Sequence, residues 1–369
     1  MKKYKIFVIN PGSTSTKLAL FENEHKILET NVFHDSSVLL QFPTVNAQLP
    51  YRKKLIMDFL SENRIDLSDV DAIVGRGGSC YPVASGVYVI DDKLIEDTAA
   101  GKGGMEHPSN LGVQLARELQ KEFGGRIFMV DPPCVDELCD MARMTGIDGV
   151  PRHTNMHALN LRGVAMHHAK HVLGKKYEDC CFIVCHIDGG ISVSAHRYGR
   201  IIDCNDAAGG DGPYTPTRIG SVSVADILEY VRDKDIDEVK KLCTRTGGFV
   251  SHFGTSSSDA VHKMAEEGNK KAIRVWDGMK YQIVKYIGAM AAVLGGRVDG
   301  ILLTGGLLRF EDITQTIREQ CGWIAPVSTY PGEVEHEALA AGALRVLRGE
   351  EEPKHYTGRP VWDGWHDED

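Results

Sequence analysis

The sequence predicts an α/β protein of two like domains, each built on a mixed sheet. Three observations lead there. An apolar, β-branched run from Tyr4 ends at Asn10-Pro11-Gly12, and a loop of hydroxyl residues leads into two more strand-like runs. The same order of strand, glycine loop, strand and strand returns at Cys180 to Asp203, near the middle of the 369-residue chain. Around both copies, segments of helical period alternate with short buried runs. A repeat on that scale means a duplicated domain rather than a solenoid. Helices alternating with short apolar strands mean an α/β layer on a mixed sheet. The expected division is residues 1–157 with 336–369 for the first domain and 158–335 for the second.

The elements follow in order. Tyr4 to Asn10, Lys17 to Phe21 and His25 to Phe33 read as three strands. Arg52 to Asn63 has helical spacing through Leu55, Ile56, Phe59 and Leu60. Asp71 to Gly75 and Gly86 to Ile90 read as strands, and Asn110 to Phe123 as a helix capped by Ser109 or Asn110. Arg126 to Val130 is a strand that stops at Asp131-Pro132-Pro133. Helices are expected at Val135 to Thr145 and Met156 to Leu173. In the second half, strands run over Cys180 to Ile187, Ile191 to His196 and Arg200 to Asp203. Helices are expected at Val222 to Asp233, Ile236 to Leu242, Ser258 to Glu267 and Lys270 to Leu294. Val298 to Thr304 is a buried strand ending in Gly305-Gly306. Another helix begins near Phe310, the last spans Glu335 to Gly349, and the polar tail to Asp369 is expected to pack loosely.

Composition narrows the classes. Hydrophobic residues make up 42% and charged residues 25% of the chain, as in a globular protein. The net charge of −9 argues against nucleic acid or an anionic membrane as partner. No apolar run approaches the roughly 20 residues of a membrane helix, and the run after Met1 is broken by Asn10-Pro11-Gly12, unlike a signal peptide. Nine scattered cysteines, several inside strand-like runs, read as reduced core thiols of a cytoplasmic protein. Cys134 and Cys139 lack the paired spacing of a zinc site. His167, His168 and His171 fall on one expected helix, where a solvated face accounts for them.

Three strands end in glycine turns: Asn10-Pro11-Gly12, Asp188-Gly189-Gly190 and Thr304-Gly305-Gly306. Gly12 lets a backbone come close to an anion. Free N–H groups and the hydroxyls of Ser13, Thr14, Ser15 and Thr16 can donate to phosphate oxygens, and Lys17 adds charge. The loop is not a P-loop, which needs a lysine and a hydroxyl residue between a strand and a helix. An ordinary Gly/Ser turn has the same composition. Two phosphate hairpins and a Gly-Gly strand end that accepts adenine and ribose form a cleft for ATP between like domains.

The stretches Ile9 to Lys17, Gly75 to Gly78, Glu106 to Asn110, Val130 to Pro132, Met156 to Asn160, His186 to Asp203, Gly212 to Pro216 with Arg218, Tyr281 to Leu294, Leu302 to Gly306, and Tyr330 to Gly332 with Glu337 to Ala340 resemble the acetate and butyrate kinase family, on the butyrate kinase side. That family belongs to the sugar kinase, heat-shock chaperone and actin superfamily. The resemblance implies two ribonuclease-H-like (actin-like ATPase) domains. It also implies direct in-line phosphoryl transfer between ATP and a short-chain carboxylate, giving ADP and an acyl phosphate, or the reverse, with Mg2+ as metal and a homo-oligomer, dimer or larger.

By the same resemblance, Arg76, Asp131, His186 and Arg218 are catalytic. Asn10, Gly12, Ser13, Ser15, Lys17, Asp188, Gly189, Gly190, Asp259, Gly305 and Gly306 meet the nucleotide and its phosphates. Asn10 and Glu337 hold the metal, with Glu335 as the alternative. Two arginines suit the chemistry, because a guanidinium offers fixed donors to carboxylate or phosphoryl oxygens. A histidine N–H can stabilise a phosphoryl oxygen. Plainer roles exist for each: a surface ion pair for the arginines, a satisfied core residue for His186, a turn former for Asp131.

Gly78 and Cys185 stand where acetate kinases carry bulk, so they are expected, with His157, to line a roomier acyl pocket. Each extra buried methylene is worth about 0.8 kcal/mol, and propionate, butyrate or branched acids are expected to be preferred to acetate. Three positions depart from the family. Asp188 replaces glycine and either repels phosphate, points away or binds metal. Val261 follows Asp259 where the family has Asp-x-Arg. Leu307-Leu308-Arg309 replaces smaller residues. A nucleotide-binding regulatory or chaperone-like protein of the same fold is therefore one alternative. A sugar kinase is another, but it needs a base to take a hydroxyl proton.

Overall fold

A computed structural model describes residues 2–104 and 107–365. Glu106, in one of the family-like stretches, and the last four residues lie outside the described residues. Two compact units result. One comprises the chain up to Asp136 together with the part from Val334, and the other is Glu137–Glu333. The expected first boundary was 157. Residues 137–157 fall instead with the second unit, because Cys139 N donates to Ile202 O (2.9 Å) and Arg152 reaches Asp203 Oδ1 (3.1 Å) and Cys204 O (2.9 Å).

The first unit is built on strands β1 (Lys5–Pro11), β2 (Ser15–Glu22), β3 (His25–Phe33), β4 (Ala72–Gly75), β5 (Val87–Val89) and β6 (Arg126–Val130). Their order is β3-β2-β1-β4-β6-β5. The β1–β2–β3 meander is antiparallel, and β4 and β6 join in parallel. Alternation along β1 sends Phe7 and Ile9 into a core with Ile56 and Leu60 of helix Leu49–Glu62 and with Leu111, Leu115 and Leu119 of helix Leu111–Phe123. The helix Glu335–Leu347 returns to this unit. Gly342 lets it lie against Val130 and Val87, since a Cβ there would come within 2.7 Å of Val130.

The second unit repeats the plan with β7 (Cys181–Ile187), β8 (Ile191–Arg197), β9 (Arg200–Cys204), β10 (Gly300–Gly305) and β11 (Val327–Pro331), in the order β11-β10-β7-β8-β9. This matches β6-β4-β1-β2-β3, so the duplication read from the glycine turns extends through the sheet. Ile183, Cys185 and Ile187 face a core with Trp276, Met279, Ile283 and Ile287 of the long helix Lys270–Val293.

Several elements differ from expectation. The helix expected over Val135 to Thr145 is one turn, Asp140–Arg143, because Asp136 N is already bonded to Val83 O (2.8 Å) and Cys139 N to Ile202 O. Helices Asp92–Ala99, capped by Asp91, and Gly248–Phe253 were not expected, because eight and six residues are too short for a helical period to stand out. The tail is not loose up to Trp365. Lys354 bonds with Val87 and Val89, and the buried Tyr356 hydroxyl donates to Asp97 (3.0 Å). All nine cysteines are free thiols. Among the described residues, no helix is long and apolar enough to cross a membrane.

Candidate active site

In the first unit, the β1–β2 register sets Asn10 opposite Lys17. Side chains alternate, so Asn10, Ser15 and Lys17 share one face and Thr16 takes the other. Gly12 with exposed Ser13 and Thr14 forms the tip, closed by Gly12 N donating to Ser15 O (2.7 Å). Arg76 follows β4 and is placed by backbone packing. Its N–H donates to Ile9 O (2.9 Å), and a Cβ on Gly75 would sit 2.2 Å from Gly112 O. The glycine pair lets helix and strand touch there. The Arg76 guanidinium forms an ion pair with Glu335 and lies 3.5 Å from Asn10 Oδ1. The Asn10 amide donates to Glu335 Oε2 (2.7 Å). Asn10, Arg76 and Glu335 therefore converge.

Glu337 does not join them. It pairs with Lys26 at 2.8 Å on a half-exposed surface. The two glutamates are two residues apart on one helix, so they point to different faces. Asp131 ends β6 with φ +39°, a left-handed backbone that a non-glycine residue holds at a cost of about 1–3 kcal/mol. Its buried carboxylate accepts from Gly86 N (2.7 Å). The structure thus gives Asp131 a positioning contact within its own unit.

Gly78 and Cys185 are both enclosed by packing within their own units. The space a Gly78 side chain would occupy belongs to Asn110, whose Cα would lie 2.5 Å from a Cβ there. The Asn110 amide oxygen accepts from Ser79 N (2.8 Å) instead of capping its helix. Cys185 is fully buried in the apolar core of the second unit, on the sheet face opposite His186. Small size at both positions serves packing.

In the second unit, His186 is buried near the end of β7. Its Nδ1 lies 2.7 Å from the amide nitrogen of Asn160, which also donates to Thr304 Oγ1 (3.1 Å). An amide N–H only donates, so Nδ1 accepts and Nε2 carries the proton. His157 stacks on His186 with ring centroids 4.0 Å apart and is fixed by Ser192 (2.9 Å).

The glycine turn beyond is clasped from behind. Thr215 and Thr217 hydroxyls donate to Gly189 O (2.7 and 3.3 Å). Arg218 packs under Gly190, where a Cβ would lie 2.6 Å from its Nη1, and it donates to Ala207 O. Burial pulls the Arg218 guanidinium down from its usual pKa, and nearby Asp206 opposes that.

Asp188 turns inward onto backbone amides. Its oxygens accept from Gly189 N and Gly306 N, both at 2.8 Å. The His186 ring and the carboxylates of Asp188 and Glu333 bring polar atoms within 4.8 Å of one another. Val261 is wholly buried in the core. Arg309 instead meets Asp259 (2.9 Å) and donates to Gly306 O (2.9 Å). An arginine thus stands beside Asp259 after all, brought from another loop.

A family model described as the acetokinase family matches residues 150–324. The chain is 45% identical over 355 residues to "Probable butyrate kinase 2" of Caldanaerobacter subterraneus subsp. tengcongensis, covering 96% of this chain and 99% of that one. It is 42% identical over 356 residues to "Butyrate kinase 2" of Clostridium acetobutylicum, with the same coverage. The chain belongs to the acetate and butyrate kinase family.

The family's two-domain actin-like ATPase fold is present throughout. Porphyromonas gingivalis acetate kinase aligns with a TM-score of 0.75 over 94% of this chain and 100% of that one, at 18% identity. The family-like stretches single out Arg76, His186 and Arg218 but not the residues that aim them. Asn160 lies inside one such stretch, and Thr215 and Thr217 flank Pro216 just before Arg218. Those positions are the available signals. The sequence alone ranks Glu335 behind Glu337, because the phase of their helix is not written in it.

Proposed function

We propose that this protein is an ATP-dependent carboxylate kinase that forms an acyl phosphate from a short-chain acid, and runs the reverse reaction, by direct in-line transfer. The observation that carries this reading is the state of His186. Its Nδ1 partner is an amide, which leaves Nε2–H as a neutral donor rather than preparing the ring as a base. A sugar hydroxyl needs a base, whereas an ionised carboxylate needs only to be held and brought in line. The carboxylate oxygen attacks the γ-phosphorus, the bond from that phosphorus to the β,γ-bridging oxygen breaks, and ADP leaves with the electron pair. In this reading Arg76 orients the acid, and His186 Nε2–H and Arg218 stabilise charge on the transferring phosphoryl group.

Mg2+ suits the oxygen donors of Asn10 and Glu335, hard ligands on one face of the first unit. Those residues, rather than Glu337, would hold it, and it would offset phosphate charge. Gly305, Gly306, Asp259 and Arg309 are assigned to the adenosine side of ATP. The closeness of Arg309 to Asp259 weakens the case for a non-catalytic protein, which rested on Val261.

Preference for butyrate-like acids is supported by the names of the relatives and not by Gly78 or Cys185. The free thiols fit a reducing cytoplasm. Exposed Val222, Val224, Leu228, Tyr230 and Ile236 fit a homo-oligomer. Incubation with ATP, Mg2+, hydroxylamine and a series of acids tests the reading. Hydroxamate is expected, with kcat/KM higher for butyrate than for acetate. ATP binding without hydroxamate from any acid would contradict it.

A further inference from the structure

Arg52, in helix Leu49–Glu62, is wholly buried behind the first hairpin tip. One face of its guanidinium is held by Gln48, whose Oε1 accepts from Nε (3.1 Å) and Nη2 (2.9 Å). Nη1 donates to Gly12 O (2.9 Å), Ser15 O (3.3 Å) and Thr16 Oγ1 (3.2 Å). All these partners are neutral, and among the described residues no carboxylate pairs with Arg52. Burial lowers its pKa to about 10, so it stays charged at neutral pH. His34 stands next to it, 2.8 Å from Thr16 Oγ1. Burial and then the Arg52 charge hold His34 down to about 4, so no second cation builds up there.

A sealed cation without a counter-ion is costly unless something nearby neutralises it. The open side of this turn is the tip, where Gly12, Ser13 and Thr14 face outward. Arg52 also occupies the carbonyls that would otherwise repel an anion there.

We propose that Arg52 is the positioning residue of the first phosphate site. Its fork keeps the Gly12 and Ser15 carbonyls on the inner side of the turn, leaves N–H and hydroxyl donors outside, and supplies a charge that bound polyphosphate neutralises. The proposal rests on the reading that this hairpin takes phosphate, but not on the identity of the acid.

The test compares full-length wild type, Arg52→Met and Arg52→Lys. Calorimetry gives the Kd of pyrophosphate and of ADP, kinetics gives KM for ATP and for butyrate, and thermal melts report folding. For Arg52→Met, binding of both ligands weakens at least about 10-fold and KM for ATP rises with it, while KM for butyrate stays within about 2-fold. Arg52→Lys, with charge but no fork, falls between. Wild-type pyrophosphate affinity in a folded Arg52→Met, or equal losses for ATP and butyrate, would overturn the proposal. If Arg52→Met does not fold, Arg52→Lys decides: a loss of at least about 3-fold for pyrophosphate supports it and an unchanged Kd overturns it. A wild type that binds pyrophosphate through Arg52 but makes no hydroxamate would leave the positioning role standing and the kinase reading fallen. A wild type that makes hydroxamate while both variants bind normally would do the opposite. A wild type that does not bind pyrophosphate overturns the positioning role.

Discussion

The two glycine turns occupy equivalent places in duplicated sheets, yet they are finished differently. In both, carbonyls are pinned from behind: Gly12 O and Ser15 O by Arg52, and Gly189 O by Thr215 and Thr217. In the first, the backing group is a buried cation without an acidic partner among the described residues, and the tip is left open. In the second, Asp188 of the turn itself fills the Gly189 and Gly306 amides. In the second copy the turn's own carboxylate occupies two amides, while the backing group of the first is a cation. Duplication preserved the strand–turn–strand frame, and side chains beneath it set the electrostatics.

The largest effect should come from the second turn. His186→Ala is expected to lower kcat about 10²–10³-fold, with a smaller loss for Asn160→Ala, which removes the Nδ1 partner. An unchanged kcat in steady-state kinetics of His186→Ala would remove His186 from the transfer step. In the first unit, Glu335→Gln should reduce activity about 10–100-fold and raise the Mg2+ requirement, while Glu337→Gln stays within about 2-fold. The reverse ranking would return the metal to Glu337.

Asp188→Gly sharpens the comparison between the turns, because it releases the two amides its carboxylate holds. KM for ATP should fall about 3–10-fold. A rise would mean that Asp188 supports the turn rather than competing for it.

The remaining effect is on stability rather than turnover, behind the first turn. The folded pKa of His34 is about 4 against an ordinary 6.5. Stability from its neutral form is complete above pH 6.5 and is lost as pH falls towards 4, by up to about 3 kcal/mol. Melting temperatures over that range should fall more steeply for wild type than for His34→Gln. Parallel curves would show that His34 does not titrate there.

Most strands and the glycine turns were legible because local apolar runs and glycines mark them, and because one half repeats the other; strand Val327–Pro331 and the order within each sheet were not. Arg76, His186 and Arg218 were legible through the family-like stretches that carry them. What stayed hidden depends on distant contacts. The phase of helix Glu335–Leu347 separates Glu335 from Glu337, and only packing against the sheet fixes it. Small size at Gly78 and Cys185 suggested room for a substrate, but Asn110 and the second core fill that room. The helix expected from Val135 is broken by bonds from Asp136 to Val83 and from Cys139 to Ile202, which no local pattern encodes. Arg52 is marked in the sequence only as the start of a helical stretch, and its burial depends on the hairpin packed against it.

The central claim is direct transfer of the phosphoryl group to an ionised acid. The most direct measurement is the stereochemical course at phosphorus, with ATP made chiral at its γ-phosphate by oxygen isotopes and butyrate as acceptor. A single in-line displacement predicts inversion in the butyryl phosphate formed. Net retention would mean an even number of displacements through a phosphorylated side chain and would contradict the account.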